Sequence, residues 1–200
     1  LTPIRLSAQL MKRAYEAGSE DFGGIFKSGV DTVIQQTEIL RRIATEFSSF
    51  GKAMRLNPEA VPLGEFLGEI VTFYRGAEQV IVRLSCEDAL TARADREALR
   101  KIVVNFIENA IEAMPDGGEV SVVARREGTT ARISVIDSGK GLSSEYQARL
   151  FEPYFSTKTN GTGLGLAISQ SLARAMDGEI RLRNREGVPG VEAAVTLPLA

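Results

Sequence analysis

Four short stretches carry residues whose types and spacing suit chemistry. In Asn160-Gly161-Thr162-Gly163-Leu164-Gly165-Leu166-Ala167-Ile168, three glycines fall on alternate positions ahead of an apolar helical pattern. A backbone without side chains can approach a ligand closely. A helix opening near Gly163 would aim its unpaired N–H groups and positive dipole end at this loop, an arrangement that binds phosphate. Glycine-rich turns also precede helices that bind nothing. Asn105 and Asn109 are four apart and share a helix face. Their amide oxygens suit Mg²⁺, a hard cation that takes oxygen ligands and bridges to phosphates; two solvated amides are the plainer alternative. Asp137-Ser138-Gly139-Lys140-Gly141 ends an apolar strand in a carboxylate. An ionised Asp only accepts hydrogen bonds, so it can read the exocyclic amine of adenine, with Gly139 and Gly141 letting the backbone pass close to the base. An ordinary Asp-Gly turn has the same sequence. Finally, Phe151-Glu152-Pro153-Tyr154-Phe155-Ser156-Thr157-Lys158 sets three aromatics beside hydroxyls and a lysine. Lys158 can reach terminal phosphate oxygens as a point charge, and long loops of this type serve as lids or as surface loops with a local hydrophobic plug.

These residues must be held by regular elements. Residues 1–17 read as the end of a helix, with Ile4, Leu6, Leu10, Met11 and Ala14 on one side. Residues 18–24 form a flexible connection. A longer helix spans 25–53, where Phe26, Val30, Val33, Thr37, Leu40, Ala44 and Phe47 alternate steps of four and three, a heptad seam. Ile34, Ile43 and Phe50 widen it. The two helices make a hairpin that packs either on its own chain or, favoured here, on a second copy as a four-helix bundle. Asn57-Pro58 and Val61-Pro62 break the pattern. The expected organisation is a hairpin at 1–55, a linker at 56–62 and a second domain at 63–200. Within the latter the spacing predicts helices at 63–74, at 95–114 with Asp95 as N-cap, and at 163–176. Strands are predicted at 80–84, 119–125, 131–136, 179–183 and 191–197. The 119–125 and 131–136 strands lie too close for a crossover helix, so a βαβ nucleotide fold is disfavoured. The fold class is α+β, a helical hairpin followed by a two-layer sandwich.

Composition excludes several classes of function. The net charge of −2 is no polyelectrolyte signal, so nucleic acid is not the expected partner. No apolar run approaches the ~20 residues that span a bilayer. The lone Cys86 forms no internal disulfide and reads as a small buried apolar residue. The chain contains no histidine, so imidazole is neither base, nucleophile nor metal ligand here.

In order along the chain, Asn105-(x)3-Asn109, Asp137-x-Gly-x-Gly, Phe151-Glu-Pro-Tyr-Phe-Ser-Thr-Lys and Gly161-Thr-Gly-Leu-Gly-Leu resemble the N, G1, F and G2 boxes of sensor histidine kinases. These belong to the wider ATPase superfamily of gyrase, Hsp90 and MutL, with its Bergerat-type fold. The resemblance extends over essentially the whole chain and is greatest to the nitrogen-regulatory membrane sensor kinases. Leu1-Thr2-Pro3-Ile4-Arg5-Leu6-Ser7-Ala8 looks like the sequence just downstream of the phosphoacceptor histidine. Glu46-Phe47-Ser48-Ser49-Phe50 resembles the second dimerisation helix.

The resemblance implies roles. Asn105 and Asn109 would hold Mg²⁺ and the phosphates of ATP. Asp137 would bind adenine between walls shaped by Gly139 and Gly141. Lys158, Gly161, Thr162, Gly163, Leu164, Gly165 and Leu166 would form the lid base around the phosphates, and Thr196 would reach the base through water. Hydrolysing relatives carry a Glu where this chain has Asn105, which argues for transfer to a protein acceptor over hydrolysis. The acceptor histidine would fall about six residues before Leu1, to within the few-residue accuracy of such a placement. The implied function is ATP-dependent phosphorylation of a histidine, then transfer to a response regulator receiver domain, by a homodimer joined through residues 1–53. The expected compartment is the cytoplasm, including the cytoplasmic part of a membrane-anchored sensor. Two competitors are a nucleotide-binding scaffold without kinase activity, and a Ser/Thr kinase of the anti-sigma-factor type, against which the hairpin speaks. On this reading Asn109→Ala and Asp137→Ala each abolish tight nucleotide binding and leave the fold intact.

Overall fold

The computed structural model describes residues 2–51, 56–74, 80–155 and 162–200, apart from the side chains of 38–39 and 41–51. The chain divides into two compact units, the N-terminal helices and an α/β unit.

The first unit is a hairpin of α1 (Thr2–Glu16) and α2 (Phe22–Gly51). α1 ends where Gly18 turns left-handed (φ 61°) and the Ser19 N–H bonds back to the Ala14 carbonyl at 3.0 Å, a glycine C-cap. The connection is shorter than its glycines imply, because α2 takes in Gly23 and Gly24. The ring of Phe22 bridges Tyr15 and Phe26 at centroid distances of 5.8 and 5.7 Å, which offsets the helix penalty of about 1 kcal/mol per glycine. Gly29 lets the helices close, since a Cβ there would lie 2.7 Å from Met11 Cγ. Leu6, Leu10, Tyr15, Phe26, Ile34 and Leu40 stay exposed within this single chain. The expected helix end at Ala53 lies outside the described residues.

In the second unit, α3 (Leu63–Tyr74), α4 (Arg96–Glu112) and α6 (Gly165–Ala175) pack on a five-stranded sheet. Its order is β2 (Val80–Cys86), β4 (Gly118–Glu127), β5 (Thr130–Asp137), β7 (Val191–Pro198) and β6 (Glu179–Asn184). Neighbours are antiparallel except β2 and β4, which are parallel and are joined through α4. Strand alternation sets the layers. Ile133, Val135, Val195 and Leu197 face the helices and are buried with Leu99, Ile102, Val103 and Phe106 of α4.

Two strands differ from expectation. Residues 59–62 of the expected linker form β1 (Glu59–Pro62), which pairs antiparallel with β3 (Thr91–Ala94). Pro62 is tolerated because it closes a short strand, where a missing N–H costs little. Val61 and Ala92 are fully buried. Asp95 caps α4 as expected: one carboxylate oxygen accepts the Ala98 N–H, and the other accepts the Asn57 N–H, each at 2.9 Å. Burial pushes this carboxyl up, and the backbone donors of Asn57, Ala98 and Glu97 more than reverse the effect, so it titrates below its ordinary value. The aperiodic region from 143 contains one turn of helix, α5 (Ser144–Gln147). Among the described residues no helix is long and apolar enough to cross a membrane.

Candidate functional site

Helix α4 organises the site. It forms because Leu99, Ile102, Val103 and Phe106 recur at helical spacing on a buried face, and this phase leaves Asn105 and Asn109 half-buried at its margin. Asn109 donates Nδ2–H to Asn105 Oδ1 at 3.3 Å, and Asn105 donates its own Nδ2–H to Ser169 Oγ of α6 at 3.0 Å. The opening residue of α6 lies on the same amide: a Cβ on Gly165 would sit 2.5 Å from Asn105 Oδ1. Only glycine permits this approach. Leu164, the N-cap of α6, offers no side-chain cap to the first turn. The positive dipole end of a helix favours an anion there. Carboxamide oxygens are the hard ligands that Mg²⁺ takes, and a helix N-terminus beside them suits the phosphates it bridges to, so these residues fit that group.

One turn past Asn109, the loop after β5 crosses the end of the same helix. A Cβ on Gly139 would lie 2.9 Å from the carbonyl oxygen of Ala113, the α4 C-cap. This fixes Asp137, only 6% exposed. Its Oδ1 accepts the N–H of Gly139 at 2.8 Å and that of Val191 at 3.1 Å, while its backbone carbonyl accepts from Arg185 at 3.1 Å. Among the described residues no hydrogen bond is made to Oδ2. Gly141 turns left-handed (φ 78°). Beyond it, Asn184 clamps Leu142 in both directions, accepting its N–H and donating to its carbonyl, each at 2.7 Å. From Asn105 to Ala113 is eight residues, or about 12 Å of helix. The carboxylate end and the amide end of the site therefore suit the two ends of one elongated ligand.

The glycine-rich turn is tied to the aromatic stretch. The Gly163 carbonyl accepts the Tyr154 N–H at 3.1 Å, and a Cβ on Gly163 (φ 68°) would lie 2.6–2.7 Å from backbone atoms of Tyr154 and Phe155. That positive φ keeps Gly163 out of α6. Phe151 packs against the core. Phe155 lies between Tyr146 and the Arg149 guanidinium, the latter 4.1 Å above its ring. The aromatics anchor the segment, except Tyr154, which is 65% exposed. Leu164 is buried, and Leu166 packs against the core. Thr162 is half-buried. Lys158 and Gly161 lie outside the described residues.

Thr196 is not brought to this group, contrary to the expectation from resemblance. On β7, Val191, Ala193, Val195 and Leu197 face the helices, so Thr196 faces the other side of the sheet. There it bonds the Glu179 carbonyl at 3.3 Å and lines a shallow cavity with Glu127, Arg132 and Arg181. The β7 residue that meets Asp137 is Val191, five positions earlier, or roughly 17 Å along the strand. Sequence reasoning missed Val191 because a backbone N–H leaves no mark in residue type. It also missed Ser169, three residues from both Leu166 and Leu172, whose sign is a hydroxyl inside an apolar stripe.

Residues 94–200 match the family described as histidine kinase-, DNA gyrase B-, and HSP90-like ATPase. The chain belongs to this family. It is 34% identical to nitrogen regulation protein NtrY of Azorhizobium caulinodans, over 98% of this chain and 27% of NtrY. Among solved structures it is similar to the catalytic domain of histidine kinase ThkA, with 28% identity and a TM-score of 0.66 over 72% of this chain and 96% of that one. It is also similar to full-length ShkA in complex with AMPPNP, with 26% identity and a TM-score of 0.71 over 90% of this chain and 38% of that one. The chain spans less than half the length of the curated relatives it matches, from 27% to 46%. It is a histidine kinase-family ATPase catalytic domain, and ATP is the nucleotide that the family binds.

Proposed function

We propose that residues 63–200 bind Mg·ATP along α4 and present its terminal phosphoryl group to a histidine. The observation that carries this reading is the alignment along one helix of the amide pair, Gly165 and the loop of Asp137. Asp137 Oδ2 accepts the adenine amine, with Gly139 and Gly141 passing the backbone beside the base. Asn105 and Asn109 take the metal and phosphates. Gly163, Leu164, Gly165 and Leu166 bring the first turn of α6 to the phosphate tail, and the family resemblance adds Lys158, Gly161 and Thr162. Mg²⁺ held by Asn105 and Asn109 would supply charge neutralisation at the phosphates. What this chain adds is positioning, on which phosphoryl transfer chiefly depends. An amide at Asn105 cannot take a proton from water, which favours transfer over hydrolysis.

The chain contains no histidine, so on this reading the acceptor lies outside these 200 residues. The hairpin pairs with a second copy through the apolar positions left exposed on α1 and α2. The phosphorylated histidine then donates to an aspartate of a response regulator, a reaction of the cytoplasm. A chain extended upstream to include the acceptor tests this with labelled ATP. Label is expected on histidine, and Asn109→Ala is expected to lower both labelling and Mg·ATP affinity about ten- to hundredfold through loss of ~1.5–3 kcal/mol. Tight ATP binding without labelling would instead favour a nucleotide-binding scaffold.

A further inference from the structure

Three threonines on the described helices bond to their own backbone. Thr32, Thr37 and Thr72 each donate to the carbonyl four residues earlier, at 2.9, 2.7 and 2.8 Å, the usual local solution. Ser169 does otherwise. It is 2% exposed, and its hydroxyl meets the Asn105 amide on another helix at 3.0 Å. A buried hydroxyl costs free energy unless bonded, and the oxygen of this one accepts from a residue of the site.

We propose that Ser169 is a positioning residue for the metal-binding amide pair; the inference rests on the Mg·ATP reading above. Asn105 has two soft side-chain torsions and stands at the margin of the core. Ser169 takes up its nitrogen and stops that rotation. The Asn105 oxygen then receives the Asn109 nitrogen at 3.3 Å, which carries the Asn109 oxygen on the arm away from Asn105. Gly165, one turn before Ser169, leaves room for the Asn105 amide, and a side chain there would displace it. Gly165 and Ser169 therefore lie on one face of α6 and hold the amide from two sides. Part of the interval between the glycine turn and the rest of α6 thus serves the metal end of the site without touching nucleotide.

The test is calorimetric titration of the chain with a non-hydrolysable ATP analogue, with Mg²⁺ and in excess EDTA. Ser169→Ala is expected to weaken Mg²⁺-dependent binding about tenfold. Binding in EDTA and the melting temperature of the ligand-free protein should scarcely change. Ser169→Thr, which keeps the hydroxyl, should restore affinity to within about threefold, and in an Asn105→Ala background Ser169→Ala should add less than about twofold, as for two residues acting as one unit. If Ser169→Ala binds Mg·nucleotide like the parent while Asn109→Ala does not, the positioning role is overturned and the Mg·ATP reading stands. Fully additive losses with Asn105→Ala also overturn it. If Asn109→Ala binds unchanged as well, the Mg·ATP reading falls and takes this inference with it.

Discussion

Asp137→Asn is expected to weaken ATP binding about a hundredfold and leave the protein folded. The variant oxygen can still accept the Gly139 and Val191 N–H groups that Oδ1 now holds. The other arm changes from acceptor to donor and opposes the adenine amine, itself a donor. Losing a charge-assisted hydrogen bond and leaving donors facing each other costs about 3 kcal/mol, which is roughly two decades in affinity. A purine with a carbonyl at position 6 should suffer less, so the preference for ATP over ITP should shrink at least tenfold. Parallel calorimetric titrations with the two nucleotides measure this. Asp137→Ala is expected to differ from Asp137→Asn in its effect on the fold. It removes the acceptor of two backbone N–H groups at a residue 6% exposed, and each unsatisfied buried donor costs ~1–3 kcal/mol. Loss of binding in that variant is therefore expected to come with loss of stability.

Gly190→Ala is expected to destabilise the chain by about 3 kcal/mol or more and to abolish nucleotide binding with it. Gly190 has φ 118°, a conformation that costs other residues ~1–3 kcal/mol. A Cβ there would also run into the Asp137 carbonyl oxygen and approach Arg185 Cδ to 3.0 Å. The carbonyl belongs to backbone, so β5 and β7 would have to separate where Val191 holds the carboxylate. Gly187→Ala supplies the control. Gly187 also has positive φ, 71°, but nothing lies within 4 Å of its added Cβ, so only the ~1–2 kcal/mol of left-handed strain applies. Denaturant midpoints should rank parent, Gly187→Ala, Gly190→Ala. Equal midpoints for the two variants would show that the strands do not meet so closely at Asp137.

Much of this site was legible in the sequence because it depends on side-chain type at short spacing. The Asp95 cap, the periodic face of α4 and the four-residue interval between Asn105 and Asn109 are local facts, and a helix converts them directly into geometry. Gly163 and Gly165 were legible as a pair, but their separate reasons were not. One turns left-handed against Tyr154, and the other admits the Asn105 amide. The first contact reaches back nine residues and the second sixty, and neither separation is marked by residue type. β3 escaped notice because four residues, Thr-Ala-Arg-Ala, are too few to show a period. β1 was hidden by prolines that read as a break. Thr196 was misplaced because alternate β7 residues face opposite sides of the sheet, and resemblance to a strand does not say which residue of it reaches the pocket.

A crystal structure of the chain with Mg²⁺ and a non-hydrolysable ATP analogue would decide whether α4 spans one nucleotide. The expected result has the adenine amine about 3 Å from Asp137 Oδ2, the metal at the Asn109 amide, and the phosphate tail at the first turn of α6. A nucleotide seated away from Asp137, or with its phosphates at the Asp137 end, would contradict the reading.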